Sequence, residues 1–167
     1  RAVSEGWLTE EDTQQFISTD RRELQDAIDE SNIHGWLQSR IHDGEGRYAA
    51  LVTTLLQEDA NRLQTLKDVA FYTGKEKRTE VPTTAPEAFH QLDNTLLNGM
   101  PCDQVMKVTE SNPDKVVWEE TQDLHSSFWN GQGAYYYTLR AELIKGILAD
   151  SGLTFKQTDT NRYEIIK

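Results

Sequence analysis

The spacing of apolar residues changes along the chain, and this change predicts two structurally different halves. Apolar positions three and four residues apart indicate amphipathic helices through the first hundred residues. The strongest stripe runs from Tyr48 to Ala70, and Gly74 is the predicted stop of that helix. We expect Gly44-Glu45-Gly46 to interrupt the helical pattern before it, because glycine weakens a helix interior by about 1 kcal/mol relative to alanine.

Capping residues predict where the helices of the first half begin. Thr9, followed three residues later by Asp12, has the pattern of a capping box. Asp20 is expected to cap a second helix. The helical spacing of its apolar residues is interrupted near Asn32, where we expect a bend or break. Pro86 suits a first helical turn, so it marks the last helix of this half.

The second half alternates polar and apolar residues around turn sequences, which is typical of hairpins. Segments 104–109 and 115–124 form one predicted hairpin, and segments 153–157 and 162–166 form another, with a helix at Ala134–Ser151 between them. The sequence therefore predicts an α+β fold in which a helical N-terminal half packs on a small antiparallel sheet with ββαββ order. We expect one domain over residues 1–167, mainly helical at 1–99 and sheet-and-helix at 100–167.

Composition and charge exclude several classes of function. The 167 residues carry 17 Lys+Arg against 28 Asp+Glu, a net charge of −11, which disfavours both nucleic acid and anionic membranes as partners. The longest nearly apolar stretch, Tyr48–Leu56, is too short to span a bilayer. A single cysteine, Cys102, excludes an internal disulfide and fits a reducing compartment, so we expect a cytoplasmic protein.

The densest polar cluster lies at the end of the first predicted hairpin. If the strand continues through it, Glu119, Asp123 and His125 share one face, whereas Glu120 lies on the face of Trp118. A carboxylate and an imidazole two residues apart can share a proton, so Asp123 and His125 are the predicted acid–base pair, with Glu119 nearby. The alternative is a solvated strand face without chemistry. We assign no metal site, and no cofactor follows from the sequence.

Aromatic residues on either side of the Asn130–Gly133 loop are candidates for lining a small-molecule pocket. Tyr136 and Trp129 flank this loop, Trp118 belongs to the predicted sheet, and the three are predicted ligand-binding residues. Arg140, one turn beyond Tyr136, is the candidate for pairing with a ligand carboxylate. The alternatives are that the rings form the core between helix and sheet, and that Arg140 pairs with Glu142 or another local acid.

One stretch resembles a known family. Segment 107–117, Lys-Val-Thr-Glu-Ser-Asn-Pro-Asp-Lys-Val-Val, and segment 121–129, Thr-Gln-Asp-Leu-His-Ser-Ser-Phe-Trp, are similar to a hairpin of the L-2-amino-thiazoline-4-carboxylic acid hydrolase-like family. The similarity extends over residues 34 to 167. It implies a helical half packed on an α+β half, with a pocket between them, and hydrolase activity. The family pattern has a cysteine near Gln122 and Asp123 and another in the following helix, and this chain has neither.

Two functions follow as hypotheses. The first is a small-molecule-binding domain that hydrolyses a small carboxylated or cyclic substrate through Asp123 and His125. The second is a non-catalytic subunit or adaptor that binds a protein partner or a second copy through its amphipathic helices. Trp7 and Trp36, which look exposed in the sequence, motivate the second hypothesis.

Overall fold

The computed structural model describes the backbone of residues 1–167, and it describes the side chains apart from that of Pro101. It shows an α+β fold, as the change in spacing predicts. The helices are α1 (Glu10–Thr13), α2 (Leu24–Ala27), α3 (Ile33–Glu58), α4 (Arg62–Lys77), α5 (Ala85–Thr95) and α6 (Ala134–Leu148). The strands are β1 (Met106–Asn112), β2 (Lys115–Glu120), β3 (Thr154–Asp159) and β4 (Arg162–Ile166). Short 3₁₀ segments occur at Gln14–Phe16, Pro101–Asp103 and Ser126–Trp129.

Contacts within the chain define two compact units. Unit 1 contains Arg1–Arg62 and His125–Gly133, and unit 2 contains Leu63–Leu124 and Ala134–Lys167. The expectation of one domain divided at residue 99 stays a prediction. Unit 1 is helical, whereas unit 2 holds the whole sheet together with α5, α6 and nearly all of α4.

The sheet of unit 2 is antiparallel throughout and has the strand order β1-β2-β4-β3. The predicted hairpins are confirmed: Asn112 pairs with Lys115 in the first, and Asp159 pairs with Arg162 in the second. The predicted ββαββ order is not supported. The last strand of the chain lies inside the sheet beside β2, and a 3₁₀ segment interrupts the path from β2 to α6.

The core of unit 2 lies between one face of this sheet and helices α5 and α6. Alternate residues of the central strands face it, because successive side chains of a strand point to opposite faces. Trp118 stacks on Tyr163, its cross-strand neighbour, with ring centroids 5.6 Å apart. The helices contribute residues at helical spacing to the same cluster: Ala85, Ala88, Leu92, Ile144, Ile147 and Leu148.

Helices α4 and α6 cross at two glycines. A Cβ atom at Gly74 would lie 2.0 Å from the carbonyl oxygen of Leu143, and one at Gly146 would lie 2.0 Å from that of Phe71. Only glycine allows the backbones to approach so closely. The prediction that Gly74 stops a helix is therefore wrong, because α4 continues to Lys77 and uses Gly74 as its contact with α6.

Helix α3 of unit 1 both begins and ends earlier in the chain than the helix that was predicted over Tyr48–Ala70. It runs unbroken through Gly44-Glu45-Gly46, so the expected interruption is wrong. It ends at Glu58, where Asp59 Oδ1 accepts a hydrogen bond from Asn61 N and turns the chain into α4. The expected break near Asn32 is confirmed, since the Asn32 side chain caps α3 by accepting a hydrogen bond from Gly35 N.

Of the two other predicted caps, Thr9 is confirmed and Asp20 is wrong. Thr9 and Asp12 form the predicted capping box of α1, and Thr84 forms another for α5. Asp20 does not cap a helix. Its carboxylate binds the guanidinium of Arg22 at 2.7 Å, and α2 begins later, at Leu24.

Candidate functional site

Strand β2 ends at Glu120, before the predicted catalytic pair. The backbone N–H of Thr121 donates to the carbonyl of Val105, and beyond it the chain is a loop. The strand alternation that was expected to put Glu119, Asp123 and His125 on one face therefore does not apply. Asp123 belongs to unit 2 and His125 to unit 1, so each is described with its own neighbours.

His125 forms a buried pair with Glu45 in unit 1. Its Nδ1 lies 2.9 Å from Glu45 Oε1, and the two residues are only 5% and 9% exposed. His125 immediately precedes the 3₁₀ segment Ser126–Trp129, and Glu45 is carried by α3. The second oxygen of this carboxylate, Oε2, is buried and accepts no hydrogen bond from the described residues.

Aromatic contacts hold the 3₁₀ segment against α3. Trp129 is fully buried and meets the ring of Tyr48 edge to face, with centroids 5.4 Å apart. Phe128 lies 5.4 Å from the ring of His42. These contacts fix the position of the segment that carries His125, so the imidazole and the carboxylate are held together by packing on both elements.

A carboxylate on one imidazole nitrogen selects the tautomer and the orientation of the ring. It also stabilises the positive charge that forms when the other nitrogen takes up a proton. The Glu45–His125 pair can therefore serve as an oriented general base. Its geometry matches the role that the sequence assigned to Asp123, but the orienting carboxylate comes from α3.

Asp123 has a different partner in unit 2. It accepts a hydrogen bond of 2.7 Å from the hydroxyl of Tyr137 on α6. Burial raises the pKa of Tyr137 above its usual value, and the hydrogen bond to Asp123 acts in the same direction. Tyr137 therefore remains a protonated donor at neutral pH, and it holds the Asp123 carboxylate in place.

Arg140 forms an ion pair with Glu120 inside unit 2. Arg140 Nη1 lies 2.5 Å from Glu120 Oε1, and the residues are 7% and 6% exposed. The guanidinium also lies over the ring of Tyr163, 5.7 Å from its centroid. Arg140 therefore pairs with an acid, but this acid is Glu120, on strand β2, and neither Glu142 nor a neighbour in the sequence. Glu142 instead binds Lys145 at 2.8 Å.

The remaining predicted site residues lie in three kinds of surroundings. Glu119 pairs with Arg162 at 2.8 Å near the surface of the sheet. Trp118 and Trp129 are 1% and 0% exposed and belong to the interiors of their units. Tyr136 is 8% exposed and meets Tyr137 edge to face, at 5.2 Å. Their proposed roles in catalysis and ligand binding stay predictions.

Sequence reasoning missed Glu45, although a signal for it exists. Ala49 and Val52, which are buried in α3, lie four and seven residues beyond it. Extending this stripe backwards reaches Glu45, but the two flanking glycines suggested a break. Glu120 was placed on the face of Trp118 and was not connected with Arg140.

Comparisons with protein-family models, curated proteins and solved structures found no match to this chain. The resemblance to the L-2-amino-thiazoline-4-carboxylic acid hydrolase-like family stays a prediction. Among the residues whose side chains are described, no group of three or more His, Cys, Asp or Glu is placed to hold a metal ion. None of the described helices is both long enough and apolar enough to cross a membrane.

Proposed function

We propose that this chain binds a small carboxylated or cyclic molecule and hydrolyses it by acid–base chemistry, with His125 as the general base. The buried pair of His125 and Glu45 is the observation that carries the proposal. Burying an ionisable pair is costly, and residues held in this way are candidates for function. Packing alone would be served as well by two apolar side chains.

The reaction follows from the geometry of the pair. Glu45 holds Nδ1, so Nε2 of His125 takes the proton of a water molecule as its oxygen forms a bond to the electrophilic carbon of the substrate. The carbon–nitrogen bond of the substrate then breaks, and the same proton passes from Nε2 to the leaving nitrogen. Glu45 stabilises the imidazolium between these two steps.

The predicted site residues Glu119, Asp123 and Arg140 belong to unit 2 and are candidates of their own, separate from the Glu45–His125 pair of unit 1. Asp123, which is exposed and held by Tyr137, is a candidate acid–base group, and Glu119 is half-buried and already paired with Arg162. Arg140 is the candidate for binding a substrate carboxylate. Because Glu120 already neutralises it, such a substrate has to compete with Glu120 for the guanidinium.

The test is turnover of L-2-amino-thiazoline-4-carboxylic acid and of small lactams by the purified full chain, followed by NMR. We expect wild-type turnover and a loss of about 100-fold or more in kcat for His125→Gln, the size typical of a general base. Glu45→Gln should lower kcat less and shift the pH profile of kcat/KM. His34→Gln, which changes an exposed histidine of α3, is the matched control and should retain full activity.

Two results would contradict the proposal. One is the absence of turnover of every one of these compounds by the wild-type chain. The other is equal turnover by wild type and His125→Gln, since catalysis would then not depend on the imidazole.

The adaptor remains a second candidate because apolar side chains are exposed on α3. Ile33 and Leu37, one turn apart on the same side of the helix, are 47% and 41% exposed. Sedimentation velocity over a micromolar range tests self-association through this pair. A concentration-dependent shift that Ile33→Lys removes would support it, whereas monomers throughout would count against a second copy as the partner.

A further inference from the structure

Unit 2 contains a cavity that the proposed function does not use. It lies where the chain passes from α5 to β1 and has a volume of about 330 Å³. This is within the range of small-ligand pockets in proteins. Its lining combines apolar and polar side chains: Asp93, Leu96, Asn98, Gly99, Met100, Gln104, Val105 and Met106.

The amide of Asn98 is poorly satisfied within the protein. Its Nδ2 donates to the thioether sulfur of Met106 at 2.9 Å, and sulfur is a weak acceptor. Its Oδ1 is buried and accepts no hydrogen bond from the described residues. A buried acceptor without a donor costs about 1–3 kcal/mol, so a ligand that supplies a donor has a favourable place to bind.

Backbone conformation shapes this cavity. Gly99 has a φ of +75°, and a Cβ atom there would lie 2.5 Å from Leu124 Cδ1 and 2.8 Å from Asp103 Oδ2. Gln104 also adopts a left-handed conformation, with a φ of 47°. Between them, Asp103 Oδ2 accepts a hydrogen bond of 2.7 Å from Met100 N. A side chain at position 99 would crowd the turn that forms one end of the cavity.

The other lining residues restrict the charge and shape of the occupant. Leu96, Val105 and the two methionines provide apolar walls, and methionine adapts readily to different ligand shapes. Asp93 is exposed at the cavity and repels anions. The lining contains no lysine or arginine to attract them.

We propose that this cavity binds the primary carboxamide group of a small, uncharged molecule with an apolar body. The ligand carbonyl accepts from Asn98 Nδ2 in place of the Met106 sulfur, and the side chain, released from that weak bond, turns Oδ1 out of its buried position to accept from the ligand N–H. A carboxamide matches the asparagine side chain because each group offers one donor and one acceptor along the same edge. The apolar body of the ligand packs against Leu96 and the methionines.

Benzamide and benzoate provide the test, since they share a ring and differ in the group that meets Asn98. Heteronuclear NMR titration of the full chain should show saturable shifts of the Asn98 side-chain amide with benzamide. Benzoate, which lacks the N–H donor and carries a negative charge, should bind at least about tenfold more weakly.

Asn98→Leu tests whether benzamide binding depends on the Asn98 amide, and this variant is expected to fold. Replacing a poorly satisfied buried amide with an apolar side chain of similar size should preserve the melting temperature. The same variant should weaken benzamide binding at least about tenfold. Asn94→Leu, on the exposed side of α5 and outside this cavity, is the matched control and should bind benzamide as the wild type does.

Three results would overturn the proposal: no saturable binding of benzamide to the wild type, equal binding of benzoate, or unchanged binding by Asn98→Leu. Each is distinguishable from failure of the proposed hydrolase, because Glu45→Gln and His125→Gln leave this cavity intact. Benzamide should therefore bind both variants normally, whatever their activity.

Discussion

Each compact unit buries a glutamate against a basic side chain, but the two basic side chains differ in their chemistry. In unit 2, Glu120 faces the guanidinium of Arg140, which stays protonated at every pH at which a protein is folded. In unit 1, Glu45 faces an imidazole, and histidine as a residue type exchanges its proton near neutral pH. The pair of unit 2 is therefore permanent, whereas that of unit 1 is suited to proton transfer.

Two pairs of helical glycines also differ between the units. Gly74 and Gly146 of unit 2 are in close contact with the backbone of the facing helix. Gly44 and Gly46 of unit 1 have nothing within 4 Å of the position that a Cβ would take. The glycines of unit 2 are therefore required by packing, whereas those on either side of Glu45 are not.

The largest effect is expected from removing the cation of the permanent pair. Arg140→Met leaves Glu120 buried without a partner, so the free energy of unfolding should fall by about 3–5 kcal/mol. Urea unfolding measures this loss. The double variant Arg140→Met/Glu120→Leu should recover most of it, because no unpaired charge then remains in the interior.

Changing the Glu45–His125 pair of unit 1 should lower the free energy of unfolding less. Glu45→Gln keeps a hydrogen-bonding side chain beside His125, so it should cost about 1 kcal/mol or less. If Arg140→Met and Glu45→Gln proved equally costly, the distinction between a permanent ion pair in unit 2 and a hydrogen-bonded pair in unit 1 would be wrong.

The effect of Gly74→Ala on stability should lie between these two in size, and Gly44→Ala should act with the opposite sign. Gly74→Ala places a methyl group against the Leu143 carbonyl, which cannot move away without shifting α6, so it should destabilise by about 1–3 kcal/mol. Gly44→Ala meets no atom and should stabilise by up to about 1 kcal/mol, through helix propensity alone. Thermal unfolding of the two variants checks both signs. Stabilisation by Gly74→Ala would rule out the close crossing of α4 and α6.

The last effect is confined to alkaline pH and is absent at neutral pH. Burial raises the pKa of Tyr163 to about 12, and the charge of Glu120 acts in the same direction, against that of Arg140. Because the phenol keeps its proton in the folded chain after the unfolded chain has lost it, its contribution to stability is lost as pH rises from about 10 towards 12. The slope is about 1.4 kcal/mol per pH unit.

Tyr163→Phe removes this ionisation. Its free energy of unfolding should fall less steeply than that of the wild type over the same pH range, as measured by urea unfolding at fixed pH values. Identical slopes would show that the Tyr163 hydroxyl ionises as easily in the folded chain as in the unfolded one.

Local signals predicted local structure well in this chain. The capping box of α1, both hairpins and the start of α5 depend on residues a few positions apart, and these were predicted close to where the structure has them. The glycine assignments failed because a glycine that ends a helix and a glycine that lets two helices touch look the same in sequence. Only the partner helix, more than 60 residues away, distinguishes them.

The candidate site was predicted in part for a related reason. His125 was identified from its neighbourhood in the sequence, but its partner Glu45 lies 80 residues earlier. The partner of Arg140, Glu120, comes from a different element of the fold. Pairings across such distances depend on how elements pack, and hydrophobic periodicity carries no information about that packing.

The path of the chain between the units has a practical consequence. The chain leaves unit 2 after Leu124, forms the His125–Gly133 segment of unit 1, and returns at Ala134. The ends of this segment meet, since a Cβ at Gly133 would lie 2.2 Å from Ser126 Oγ. No single cut in the coding sequence can therefore isolate either unit. A fragment ending at Arg62 would lose Trp129 and His125 from its interior, whereas expression of unit 2 alone requires a deletion that joins Leu124 to Ala134.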